Sequence, residues 1–149
     1  MKALLTTCCI AVAIFLTLGS CSETNLGNES RNSGERIGDT IVMSVGGSYY
    51  DAEYHFRIGV VSLLGDSRCP EGLICVWGGN AGVRFEIVVA GNHRRLFDLN
   101  THGGQNYPQD TVINGIEFRL VSVEPYPKHN APAVPESEVV IKLLAVAKE

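Results

Sequence analysis

This sequence is short of helical periodicity, of basic charge and of catalytic signatures. No stretch repeats apolar residues at three- and four-residue spacing over several turns, which argues against a helical architecture. Twelve Lys and Arg stand against 16 Asp and Glu, a formal net charge of −4, with no basic cluster to track a phosphate backbone. Nucleic-acid binding is therefore disfavoured. There is no G-x-S-x-G elbow, no H-E-x-x-H, no phosphate-cradling glycine loop and no C-x-x-C. An enzyme here would have to be built from scattered residues. After Leu18, charge, glycine or proline interrupts every apolar stretch within about a dozen residues, too few to span a bilayer.

What is present begins with a leader. Met1-Lys2 opens a short charged region, Ala3 to Leu18 is apolar over the length of a signal peptide, and Leu18-Gly19-Ser20-Cys21 reads as a lipobox. Residues 1–20 are thus expected to be a lipoprotein signal peptide, with Cys21 the lipidated first residue of the mature chain. Acyl chains contribute roughly 0.8 kcal/mol per buried methylene, so a lipidated Cys21 would tie the protein to a membrane. Residues 21–37 are rich in Ser, Asn, Gly, Glu and Arg and read as a flexible tether. Ser22 after the lipid site suggests the outer membrane, by analogy with sorting in which aspartate there retains a lipoprotein in the inner one. The expected location is the bacterial cell envelope, periplasmic or surface-exposed.

Residues 38–149 carry strand periodicity, broken by turn residues about every 8 to 12 positions. Ile41, Met43 and Val45 alternate before Gly46-Gly47-Ser48. Tyr54, Phe56, Ile58 and Val60 alternate with His55, Arg57 and Gly59, and Val83, Phe85, Ile87 and Val89 alternate with Arg84 and Glu86. Gly91-Asn92 and Asn114-Gly115 are two-residue hairpin signals, the second the stronger because a type I′ turn requires two positive φ angles. Ile116, Phe118 and Leu120 are expected on one face and Val121 and Val123 on the other. Four prolines between Glu124 and Glu136 suggest a crossing between sheets. Val139 to Val146 is nearly all apolar and should form a central strand. The expected fold is an all-β antiparallel sandwich of about seven or eight strands, immunoglobulin-like or related, with one disulfide.

Five cysteines reduce to two in the mature domain, since Cys8 and Cys9 leave with the signal peptide and Cys21 takes lipid. Cys69 and Cys75, in an oxidising compartment, are expected to pair. Pro70 stiffens the intervening chain and Gly72 permits a positive φ. The bridge closes a short loop and is expected to contribute about 2 kcal/mol, fixing a local shape more than a fold. Around it lie Asp66 and Arg68 at the entrance and Trp77 at the exit. Two readings stay open: Trp77 packed on the disulfide as a structural staple, or the loop with Asp66, Arg68 and Trp77 as a rigid binding edge.

The run Asp66-Ser67-Arg68-Cys69-Pro70, a four-residue gap, then Cys75-Val76-Trp77 and Gly79 resembles the signature of a family of small exported bacterial proteins, many of them lipoproteins, themselves uncharacterised. Gly78 stands where that pattern would have alanine. Pro125-Tyr126-Pro127 is similar to the family's later proline-aromatic turn. The resemblance implies an exported β domain and carries no activity with it.

Asn100 to Asp110 has no periodicity and forms a second candidate site, with His102 and Tyr107 as its binding candidates. His55, His93, His102 and His129 lie in separate segments without metal-ligand spacing, so no metal, cofactor or catalytic residue is assigned. Asp98 and Asn100 read as turn chemistry rather than calcium ligands, and His93-Arg94-Arg95 as a solvated strand end. The reading that follows is a lipid-anchored, non-catalytic binding module, held to the membrane through Cys21, whose partner is an envelope protein or a glycan. The alternatives are a small hydrolase using Asp66, Arg68 and a loop histidine, or a protein inhibitor that projects the Cys69–Cys75 loop with Arg68 exposed.

Overall fold

The computed structural model describes residues 37–89 and 93–148, so the expected signal peptide, Cys21 and nearly all of the expected tether lie outside the described residues. The chain forms eight strands: β1 Thr40–Ser44, β2 Ser48–Asp51, β3 Phe56–Asp66, β4 Ala81–Val89, β5 His93–Asn100, β6 Asp110–Ile113, β7 Ile116–Glu124 and β8 Val140–Ala147. One four-stranded sheet has the order β1-β8-β7-β6 and the other β2-β3-β4-β5, and every pairing is antiparallel. Each sheet neighbour is also a sequence neighbour, except where β1 closes against β8. The sandwich is thus a folded meander. The only helical segment among the described residues is a single 3-10 turn, Glu136–Glu138.

Alternation supplies the core. Ile58, Val60, Val83, Phe85 and Ile87 from one sheet meet Phe118, Leu120, Ile141 and Leu143 from the other, all at most 3% exposed. Aromatic rings join the two layers: Phe118 lies edge-on to Phe56 at 5.4 Å and tilted to Phe97 at 6.1 Å, while Phe97 stacks on Phe85 at 5.5 Å. Such pairs prefer offset or edge geometry because the ring faces are electron-rich and the edges electron-poor. As expected, β8 is central, flanked by β1 and β7. Asn114 and Gly115 take φ of 52° and 77° in the β6–β7 turn. β4 and β5 pair from Val89 and His93 inward, though the hairpin residues 90–92 lie outside the described set.

Three expectations are corrected. Val123 is 1% exposed, on the core face with Leu120 rather than opposite it, because a bulge between Leu120 and Ser122 adds one residue to the period and leaves Val121 outside. A similar irregularity between Val60 and Ser62 turns Val61 to solvent and Leu63 inward. Tyr54 and His55 belong to the turn before β3, where Asp51 accepts hydrogen bonds from the Glu53 and Tyr54 backbone N–H groups. Finally, the proline-rich segment after β7 does not cross between sheets, since β7 and β8 pair directly. The crossings are β1 to β2 and β5 to β6.

Strand directions sort the connections onto two poles. β3, β5 and β7 run toward one pole, where the loops 67–80, 101–109 and 125–139 meet. Glu71 N–H donates to Pro127 O at 2.9 Å and His129 N–H to Glu71 O at 3.3 Å, tying the first loop to the third. Thr101 N–H donates to Ala81 O at 2.9 Å and His102 N–H to Asn80 Oδ1 at 3.2 Å, tying the first to the second. The first described residues stand at the opposite pole: Gly38 N–H donates to Ala145 O near the end of β8. An eight-residue strand at about 3.3 Å per residue separates the poles by roughly 25 Å.

Candidate functional site

The loop pole is organised from Arg68 outward. Its side chain is 4% exposed, and its guanidinium meets the Asp66 carboxylate through Nε at 2.9 Å and Nη2 at 2.6 Å, a two-pronged ion pair. Nη1 donates to Val123 O at 2.5 Å and Nη2 also to Pro125 O at 3.2 Å. The ring of Tyr126 lies 4.7 Å from the guanidinium carbon. Arg68 therefore joins the end of β3 to the end of β7, across the two sheets. Burial pushes the Asp66 carboxyl up, but hydrogen bonds from the Arg68 side chain and backbone, with its charge, outweigh that and hold Asp66 below the usual carboxylate range. Arg68 is thus not exposed, and its hydrogen-bonding prongs are engaged within the domain.

Cys69 and Cys75 form the expected disulfide, with Cα atoms 6.0 Å apart. The backbone before and after it is clamped by Cys69 N–H to Gly78 O at 3.0 Å and Ser67 N–H to Asn80 O at 2.7 Å. Trp77 does not pack into the domain, being 61% exposed, so the staple reading with a buried tryptophan is not what the chain adopts. Its neighbours Ile74 and Val76 are fully exposed at 104% and 105%, and Leu73 is 44% exposed. Four apolar side chains are thus exposed around one short disulfide, Leu73 and Ile74 within the closed ring and Val76 and Trp77 just after it, inside the Cys69–Gly78 backbone clamp. Their exposure is the feature that residue-by-residue reading of the sequence missed, although four apolar residues around Cys75 with no alternating partner face were the available signal.

Beside this tip lies a recess of about 470 Å³ between Leu63, Val123 and the proline-rich segment, with Tyr126, Val134 and Lys128 on its wall. On the other side, an open cleft of about 550 Å³ separates the end of β3 from the loop carrying Tyr107. Tyr107 is 57% exposed, and Asp66 borders both hollows. The structure therefore brings Asp66, Arg68, Trp77, His102 and Tyr107 to one pole. Of these, Trp77, His102 and Tyr107 face solvent while Arg68 is structural. His102 approaches the stapled loop, its Nε2 being 3.7 Å from where a Cβ on Gly78 would stand. Asp98 is paired with Arg84 through two bonds of 2.8 Å, and that bidentate contact holds its carboxyl below the usual range against some desolvation. Among the described residues no three His, Cys, Asp or Glu side chains are grouped as a metal would need.

No family model, no curated protein and no solved structure matches the chain.

Proposed function

We propose that this chain is a lipid-anchored binding module of the bacterial cell envelope, outer-membrane in location, that docks a partner protein through the apolar tip Leu73, Ile74, Val76 and Trp77 at the disulfide. The observation that carries this reading is the full exposure of Ile74 and Val76, on either side of Cys75, in a loop held by the disulfide and by the backbone bonds Cys69–Gly78 and Ser67–Asn80. Burying an exposed Val or Ile releases about 1.5–3 kcal/mol, and a loop ordered in advance loses little entropy on docking. Contiguous exposed apolar side chains of this kind mark interaction surfaces more often than scattered ones do. The topology suits the role: a tether from Cys21 would enter the domain at the pole opposite the tip, which leaves the tip clear of the attachment point. The resemblance to exported bacterial lipoproteins, carried by the stapled motif itself, is consistent with the same placement.

Within this reading, the protein-inhibitor variant would use the apolar tip rather than Arg68 as its contact. The hydrolase variant finds Asp66 and Arg68 committed to one another. The test places a photo-crosslinking residue at position 74 and, as a control, at position 54 on the opposite pole, in cells carrying the lipidated protein. A discrete protein adduct is expected from position 74 alone, abolished by Val76→Asp with the melting temperature unchanged. Adducts identical from both positions, or none from position 74, would sink the proposal.

A further inference from the structure

The open cleft on the far side of the stapled loop has a chemistry of its own. Its floor is Gly82, where a Cβ would approach Asn100 Oδ1 to 3.1 Å, so the glycine leaves the amide of Asn100 undisturbed. Asn80 Nδ2 donates to that Oδ1 at 2.7 Å, and Asn100 Nδ2 donates to Pro108 O at 3.3 Å. Asn80 Oδ1 in turn accepts from Thr101 Oγ1 and from His102 N–H, both at 3.2 Å. These amides are fixed in orientation and largely saturated. They form a rigid polar back wall.

The groups left available stand in front of that wall. Asp98 accepts one hydrogen bond from Arg84 on each carboxylate oxygen, which leaves each oxygen further acceptor capacity. The Asn106 amide and the Tyr107 hydroxyl have no hydrogen-bond partner among the described residues, and both line the cleft. Their loop is not slack: Gly104 and Tyr107 exchange backbone N–H to C=O bonds of 2.9 and 3.1 Å across Gln105-Asn106, a closed two-residue turn. Tyr107 presents an exposed ring at the rim.

We infer that this cleft is a saccharide-binding site for an uncharged oligosaccharide. Sugar hydroxyls each donate and accept, and they are matched by a carboxylate acceptor beside a free amide and phenol that do both. The apolar C–H face of a pyranose finds an exposed, amphipathic aromatic ring in Tyr107. Charge selects among sugars. Both bordering carboxylates are neutralised, Asp98 by Arg84 and Asp66 by Arg68, and no unpaired cation lines the cleft to hold an acidic sugar. At about 550 Å³ the cleft falls within the range of small-ligand sites.

The site is separate from the apolar tip, which makes the two readings independently testable. Maltohexaose, cellohexaose, chitohexaose and xylohexaose would each be titrated to about 10 mM into the isotopically labelled protein, following the side-chain amide signals of Asn80, Asn100 and Asn106 by NMR. At least one sugar is expected to shift these signals with a Kd at or below about 1 mM. Tyr107→Ala and Asn106→Ala should each weaken it at least about tenfold while backbone spectra elsewhere stay in place, and Ile74→Asp should leave it unchanged. No shift with any of the four sugars, equal affinity in Tyr107→Ala, or affinity lost in Ile74→Asp would each overturn the assignment.

Discussion

Arg68 reads in the sequence as the charged entrance of a surface loop, and in the folded chain it is a buried clamp between β3 and β7. Removing it strands Asp66 and two backbone carbonyls, so Arg68→Ala should lower stability by about 3 kcal/mol, seen as a reduced urea midpoint. Arg68→Lys should recover little, because an ammonium cannot fork to both carboxylate oxygens while also reaching Val123 and Pro125. The same pair has a pH signature. Asp66 titrates below its ordinary 3.8, so its contribution is complete above that value and disappears as pH falls through the lowered folded value. Between about pH 5 and pH 2, wild-type stability should therefore fall more steeply than that of Asp66→Asn, the two curves converging at the acid end. The motif residues Gly78 and Gly79 also separate at this scale. Gly79 has φ of 73° and a Cβ there would sit 1.9 Å from Ser67 O, so Gly79→Ala should cost at least about 2 kcal/mol. Gly78→Ala meets only His102 at ordinary contact distance and should be neutral or stabilising by up to about 1 kcal/mol. Alanine at this position is therefore compatible with the structure.

Among the elements, the stapled loop is a shape set by a short covalent ring and two backbone clamps rather than by a core of its own. Replacing both cysteines, Cys69→Ser with Cys75→Ser, should reduce stability by only about 2 kcal/mol. Strand amides should keep their hydrogen-exchange protection while the loop amides lose theirs, which mass spectrometry of exchanged peptides would resolve. A global loss of protection would instead mean that the ring supports the sandwich. The strands themselves were legible because a half-buried strand must alternate, and Ile58, Val60, Phe85 and Phe118 do so. The bulges were not. In Leu120-Val121-Ser122-Val123 the adjacent Leu120 and Val121 break the alternation, but the break alone does not say which valine turns inward, and only the pairing of β7 with β8 reveals that it is Val123.

Across the whole molecule, the meander places three loops at one pole and the entry of the chain at the other. On the proposed reading, in which Cys21 carries lipid, the apolar tip and the polar cleft stand at the pole away from the point of attachment. The same proposal predicts that Cys21→Ser moves the protein from the membrane to the soluble fraction without altering the disulfide or the melting temperature, measured on fractionated cells. The apolar and β-branched alternation, the turn residues and the single cysteine pair determined by themselves that this is an all-β domain with one stapled loop, because burial of one face per strand leaves few other arrangements. Tertiary structure alone decided that β7 pairs with β8 despite the prolines between them, that Arg68 is consumed inside, and that Ile74, Val76 and Trp77 face outward. Those outcomes depend on which strand ends meet at a pole and on which carbonyls are left to be satisfied there. Such contacts are formed between residues more than fifty positions apart, as Arg68 and Val123 are, and no local pattern encodes them.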